Sequence, residues 1–201
     1  KSCKSAIVSA NKRMMELPQG GTAIGTGVNS HKNFSKNFCE ALDKVSGLKV
    51  KPASNLFQGL SSQDNAAELS STLKNLSLVL MKICNDLRWM NSGPLTGLSD
   101  IELEALQPGS SIMPGKVNPV IPEAVSMACA DVLGNDLTIS VAVQNGNFQL
   151  NVMLPVIAYN LLKSINLLGN CMPLLAKKCI KSFKVNKKSV QENLNRNPIL
   201  V

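Results

Sequence analysis

Residues 62–92 carry the most regular pattern in the chain, a seam of large apolar residues separated by alternating steps of four and three. This spacing places the apolar side chains on one face of an α-helix, where they pack against neighbouring helices. About 30 helical residues form a rod of roughly 45 Å, which is long for a small globule. The pattern therefore predicts an extended helical bundle. The seam consists of Leu69, Leu73, Leu76, Leu80, Ile83, Leu87 and Met90.

Apolar periodicity and turn residues divide the rest of the chain into further helices and loops. Aromatic residues make up only 3% of the sequence, which suits packed helices better than sheets. We find no convincing strand, so the predicted fold class is all-α. Helices are predicted over residues 5–17, 34–46, 120–143, 148–178 and 186–196, with a kink at Pro155, irregular chain over 48–61 and mostly loop over 95–122.

The formal net charge of +8 is compatible with either nucleic acid or a small anion as a partner. The lysines are spread along the chain, however, and become dense only near its end. With one Trp and one Tyr, the chain lacks the aromatic platforms on which single-stranded nucleic acid stacks. No apolar run approaches the roughly 20 residues of a membrane-spanning helix. We therefore expect no nucleic-acid partner and no membrane span.

Six cysteines lie without the spacing of a metal or redox site, and residues 1–4 contain neither an initiator Met nor a signal-peptide pattern. We expect reduced thiols, no metal, and a cytoplasmic protein, with a mitochondrial location as the alternative for a eukaryotic source. The start of the chain also suggests a piece of a longer protein. The cysteines are Cys3, Cys39, Cys84, Cys129, Cys171 and Cys179.

Residues 107–119 combine side chains that suit the binding of a small anion, directly before a predicted helix. A helix start offers unpaired N–H groups and the positive end of the helix dipole. Lysine and amide donors nearby favour a carboxylate ligand, and Glu123 in the first helical turn is placed to hold a catalytic base. A long surface loop before a capped helix is the structural alternative. The polar members of this strip are Ser110, Ser111, Lys116 and Asn118.

Three other segments are weaker candidates for a site. The glycine-rich loop 20–27 lacks the third glycine and the preceding strand of a dinucleotide fingerprint, which favours a tight connection between helices. The only histidine, His31, lies in polar sequence and is expected at the surface. The amide-rich segment 145–151 either lines a pocket or satisfies helix ends, and we favour the second interpretation.

Residues 109–119, Gly-Ser-Ser-Ile-Met-Pro-Gly-Lys-Val-Asn-Pro, resemble the fingerprint of the fumarase/aspartase superfamily. The resemblance implies that residues 1–201 form the central helical domain, which four subunits join into a twenty-helix bundle. Active sites of such enzymes draw residues from three subunits. The N-terminal and C-terminal domains of the family would lie outside this chain. Further segments that resemble the superfamily are residues 17–29, 82–88, 92–94, 145–151 and 195–201.

The resemblance also implies roles for individual residues. Ser110 matches the mobile-loop serine that acts as general base, removing the proton next to a substrate carboxylate. Lys116 and Asn118 match residues that bind the substrate carboxylates, and Ser111 is assigned to substrate binding with them. Glu123 matches a carboxylate that pairs with a histidine from a strip that precedes this chain. Lysine, amide and helix N–H groups would stabilise the doubly negative carboxylate that proton removal creates.

The activity that the resemblance implies is reversible addition of water to fumarate, giving L-malate, in a homotetramer without metal or organic cofactor. Residues 114–116 and 145–148 favour the fumarase branch, whereas residues 118–123 and 150–153 resemble aspartate ammonia-lyase, which stays an alternative with other superfamily lyases. Leu95 departs from the arginine usual at that position, which puts a subunit contact in doubt. The chain alone is expected to be inactive. A non-catalytic helical assembly or a basic binding fragment is the alternative from another class.

Overall fold

A computed structural model describes residues 1–93, 96–107, 109, 112–113 and 117–196. These residues form seven α-helices, one π-helical turn and four strands of two residues each, which confirms the predicted all-α class. The elements are α1 (Ser2–Met14), β1 (Glu16–Leu17), α2 (Phe34–Ser46), β2 (Lys51–Pro52), α3 (Leu56–Ser61), α4 (Asp64–Met90), β3 (Ile101–Glu102), α5 (Val120–Val143), α6 (Leu154–Leu175), the π-helical turn Ala176–Ile180, β4 (Lys184–Val185) and α7 (Lys187–Asn195).

The chain divides into two compact units, and each unit combines two separate stretches of sequence. Unit 1 comprises residues 1–76 and 132–165, and unit 2 comprises residues 77–131 and 166–201. A two-stranded parallel sheet, β1–β2, belongs to unit 1, and an antiparallel one, β3–β4, belongs to unit 2. None of the helices among the described residues combines the length and hydropathy that a bilayer crossing needs.

The core of unit 1 combines the predicted apolar seam with a buried polar cluster. Leu69 and Leu73 of α4 are buried, as is Ile139 of α5. Within the same unit, Ser70 Oγ donates to Asp136 Oδ1 at 2.7 Å, and Lys74 Nζ lies 2.7 Å from Oδ2. Because burying an unpaired charge is costly, the pairing of both carboxylate oxygens is what allows Asp136 to be only 5% exposed.

The core of unit 2 is built from aliphatic residues and cysteines. Leu80 and Leu87 continue the seam on α4, although Ile83 and Met90 of the same seam are only partly buried. Cys84 of α4 and Cys129 of α5 are fully buried, with 0% exposure. None of the six cysteines forms a disulfide in the described part of the chain, in line with the expectation of reduced thiols. Burial raises the pKa of Cys84 and of Cys129 to about 11, while weaker hydrogen bonds with Ser126 and Ser77 act in the opposite direction.

We expect Cys84 and Cys129 to resist alkylation in the native protein at about pH 8, where only about one such thiol in a thousand is ionised. The thiolate is the reactive form, and the surrounding core also excludes the reagent. Cys3 is partly exposed and serves as the reactive control. Mass spectrometry of peptides after brief iodoacetamide treatment measures the three rates. Equal labelling of Cys84 and Cys3 in folded protein would contradict this expectation.

The structure corrects several sequence-based boundaries. Residues 48–61 are not wholly irregular, since they contain β2 and α3, and the four short strands were not predicted. Helix α6 begins at Leu154 rather than 148, so Pro155 lies in its first turn and not inside the helix, where the predicted kink would require it. A proline is tolerated there because the first N–H groups of a helix have no intrahelical partner. The proline inside α6 is instead Pro173, just before the π-helical turn.

Candidate active site

Asn118 and Glu123 lie at the start of α5, as the sequence predicted. The carbonyl of Asn118 accepts a hydrogen bond from Val120 N at 2.9 Å, and Glu123 N donates to the Pro119 carbonyl at 3.2 Å. Pro122, one residue before Glu123, is fully buried. Because its ring fixes φ and is anchored in the core, Pro122 restricts where the Glu123 backbone can lie.

A cleft of about 510 Å³ in unit 2 is lined by both residues. The last two turns of α4 and residues 91–93 also line it. Among the described residues, the lining combines one cationic side chain, one carboxylate, three amides and one hydroxyl with a single indole ring. This mixture suits a small polar ligand better than an apolar one. The residues are Asn85, Arg88, Trp89, Asn91, Ser92, Gly93, Val117, Asn118, Pro119 and Glu123.

Arg88 and Glu123 form an ion pair within this cleft. The distance from Arg88 Nη2 to Glu123 Oε1 is 4.0 Å, with side-chain exposures of 46% and 35%. This separation exceeds hydrogen-bond length, so the attraction is one between charges and not a fixed hydrogen bond. Solvent screens pairs that are this exposed, and they contribute at most about 1 kcal/mol to stability.

The chain leaving α4 is turned back and fixed beside the cleft. Asn91 Oδ1 accepts a hydrogen bond from Leu103 N at 2.8 Å, and Asp100 N donates to the Met90 carbonyl at 2.8 Å. Ser99 occupies a left-handed conformation with a φ of 51°. Residue 103 is thereby held near the end of α4, and the strip that contains the predicted anion-binding residues starts only a few residues later.

Three predicted site residues, Ser110, Ser111 and Lys116, lie outside the described residues, and so does Leu95. Their roles stay predictions. Of the predicted set, the structure brings together Asn118 and Glu123 on one cleft. The sequence analysis did not select Arg88 as a site residue. Arg88 lies in segment 82–88, which resembles the superfamily, and this position was the only indication of a role in the site. No rule of sequence spacing connects Arg88 with Glu123.

The weaker candidate segments have structural roles in unit 1. Gly25 has a φ of 94°, and a Cβ there would lie 2.8 Å from Phe57 Cα, which supports a tight connection in the glycine-rich loop. His31 is exposed, and its Nδ1 accepts a bond from Asn33 N at 3.2 Å. Buried Asn151 donates to the carbonyls of Ala142 and Val143 at 3.0 and 3.2 Å, so this amide satisfies the end of α5.

Comparison with known proteins places this chain in a family. The model of a family described as lyase matches residues 3–134. The chain belongs to this lyase family. Its relatives include fumarate hydratase class II 2 of Pseudomonas aeruginosa, 58% identical over 195 residues, and fumarate hydratase class II of Xylella fastidiosa (strain Temecula1), 56% identical over 200 residues. These matches confirm the resemblance found in residues 109–119.

A solved structure gives the same assignment from the fold. The crystal structure of a recombinant class II fumarase from Schistosoma mansoni matches with a TM-score of 0.92 and 36% identity, covering 95% of this chain and 43% of that chain. The alignments cover 97% of this chain and 43% of the Pseudomonas protein, and 100% and 42% for the Xylella protein. The chain therefore spans less than half the length of these relatives.

Proposed function

We propose that this chain is the central helical segment of a class II fumarate hydratase, which reversibly adds water to fumarate and gives L-malate. The observation that carries the proposal is 56–58% identity to proteins of that name across nearly the whole chain. The cleft supports it because a carboxylate at position 123, an amide at 118 and a helix start lie together in unit 2. No metal or organic cofactor is part of the proposal.

The proposed chemistry begins, in the dehydration direction, with Ser110 removing the proton on the carbon next to one substrate carboxylate. That carboxylate becomes doubly negative, and Lys116, Asn118 and N–H groups at the start of α5 stabilise it. A serine is a weak base, so the loop that carries it must close and surround its anion with donors. Glu123 pairs with a histidine from another strip, and together they position the water that leaves or attacks.

The proposed assembly is a homotetramer in which residues 1–201 contribute the central domain of each subunit. Apolar side chains exposed on the long helices support it, because large exposed apolar surfaces mark protein interfaces. They include Leu78 and Val79 of α4, Met127 and Leu137 of α5, and Tyr159 and Leu162 of α6. We also propose a cytoplasmic location, supported by six free thiols, which subcellular fractionation would check.

The complete protein that contains this segment is expected to convert fumarate to L-malate and to release no ammonia from L-aspartate. Residues 118–123 and 150–153 make aspartate ammonia-lyase the alternative, so the same preparation is assayed with both substrates. Loss of fumarate absorbance and enzymatic detection of ammonia are the two readouts. Ammonia release without hydration would replace the proposal by its alternative. Light scattering of the sample gives the assembly mass, and a monomer would contradict the tetramer.

A further inference from the structure

Among the described residues, the cleft contains one charged pair, and its two partners come from different helices. Arg88 lies in the last turn of α4, and Glu123 lies in the first turn of α5. Their nearest charged atoms are 4.0 Å apart. Within the described residues, neither side chain has another ion-pair partner.

The backbones on both sides of this pair are anchored. Next to Arg88, Leu87 is buried with 3% exposure, and Cys84 one turn earlier has 0% exposure. Next to Glu123, Pro122 is fully buried, and Val125 has 0% exposure. Close packing leaves such residues little freedom to shift. The packed helices therefore fix the backbone positions from which the two charged side chains extend into the cleft.

Opposite charges attract at this distance, so Arg88 can favour one orientation of the Glu123 carboxylate in the cleft. Arg88 faces Oε1 of Glu123 without a hydrogen bond, and Oε2 has no partner among the described residues, so it can accept one from another strip.

We propose that Arg88 is a positioning residue that orients Glu123 for catalysis. The proposal rests on the proposed function, since it assigns Arg88 a role in that same site. Arg88 acts through Glu123 and not by contact with the substrate, which separates this role from the substrate-binding roles of Lys116 and Asn118. The consequence is that loss of Arg88 affects turnover and leaves substrate affinity almost unchanged.

The test compares variants of the complete protein in steady-state fumarate hydration. Arg88→Met is expected to lower kcat by about 10- to 100-fold, the effect of a misplaced catalytic group. The same variant should keep KM within about threefold of the unsubstituted protein, because uniform substrate binding is retained. Arg88→Lys, which keeps the charge, should recover most of the lost rate. Lys82→Met is the matched control, since Lys82 forms an exposed pair with Asp86 on the same helix, and it should leave both constants unchanged.

A double variant shows whether Arg88 works through Glu123. If it does, Arg88→Met combined with Glu123→Gln should be no slower than Glu123→Gln alone. The proposal is overturned if the two substitutions lower kcat by factors that multiply in the double variant. It is also overturned if Arg88→Met raises KM and leaves kcat unchanged. Thermal unfolding verifies that each variant is folded. If Arg88→Met does not fold, the kinetics of Arg88→Lys are used for the test instead. An unsubstituted protein without hydration activity would instead refute the proposed function, whereas an active one with unaffected Arg88 variants would refute only this inference.

Discussion

Replacing Ser110 by alanine is expected to lower kcat for fumarate hydration by about a hundredfold to ten thousandfold, the usual contribution of a positioned general base. The reason is chemical, because alanine cannot accept the proton next to the substrate carboxylate. Lys116 and Asn118 would still bind the dicarboxylate, so KM should change far less than kcat. Steady-state kinetics of the complete protein, in both directions of the reaction, measure the two constants.

Ser140→Ala is the matched control for this substitution. Ser140 lies on α5, where its hydroxyl donates to the Asp136 carbonyl one turn earlier at 2.9 Å, far along the helix from the cleft residues at its start. Removing that hydroxyl should leave kcat at the level of the unsubstituted protein. If Ser110→Ala kept its full rate, Ser110 would not be the base, and another group on the same strip would have to remove the proton.

Replacing Asp136 by alanine is expected to lower the free energy of unfolding by about 2–4 kcal/mol. The substitution leaves the buried Ser70 hydroxyl without its acceptor and removes the counterion of Lys74. The side chain of Lys74 is 38% exposed and can turn towards water. The loss in free energy of unfolding should therefore be smaller than that from breaking a fully buried ion pair. Urea unfolding followed by circular dichroism measures the difference.

Two further substitutions separate charge from hydrogen bonding at this position. Asp136→Asn keeps an acceptor for Ser70 but loses the charge that faces Lys74. Its free energy of unfolding should therefore lie between those of the unsubstituted protein and Asp136→Ala. Asp86→Ala removes one partner of an exposed pair on α4 and should cost less than about 1 kcal/mol. If Asp136→Ala and Asp86→Ala lowered the free energy of unfolding equally, the buried cluster would contribute no more to stability than an exposed ion pair.

Helices with clear end signals could be predicted from sequence. Helix α2 covers residues 34–46 as predicted, because Gly47 adopts the left-handed conformation that ends a helix, with a φ of 71°. Helix α5 covers residues 120–143 as predicted, between a proline-rich start and an amide-rich end. The seam predicted α4 over residues 62–92, and the observed helix, Asp64–Met90, is two residues shorter at each end. In these cases local chemistry and tertiary packing agree.

The errors fall where local and tertiary preferences differ. The prediction began α6 at 148, but Phe148 has a φ of 50°, which no helix accepts. Residues Asn147 and Leu150 pair with each other, and the Asn151 side chain satisfies the carbonyls that end α5. Strands of two residues have no detectable period of their own, so pairs such as β1–β2 depend on contacts that sequence patterns do not reveal.

The candidate site was predictable only in part. Asn118 and Glu123 follow from the chemistry of a helix start, which is local information. Arg88 precedes Glu123 by a long loop, and only the packing of unit 2 brings the two side chains to one cleft. A contact between residues so far apart in sequence leaves no pattern in a single sequence. Its recognition therefore required the three-dimensional structure.

The discontinuous make-up of the two units bears on how the chain folds during synthesis. Unit 1 lacks residues 132–165 until the ribosome has also produced the whole of residues 77–131, which belong to unit 2. Unit 1 therefore cannot complete its fold before this part of unit 2 is synthesised, unlike domains that fold one after another. Until then residues 1–76 lack the partners that cover part of their apolar surface, and the contacts that complete unit 1 span a long sequence separation, which slows folding. We therefore expect chaperones that shield apolar surface to bind this segment while it is being synthesised.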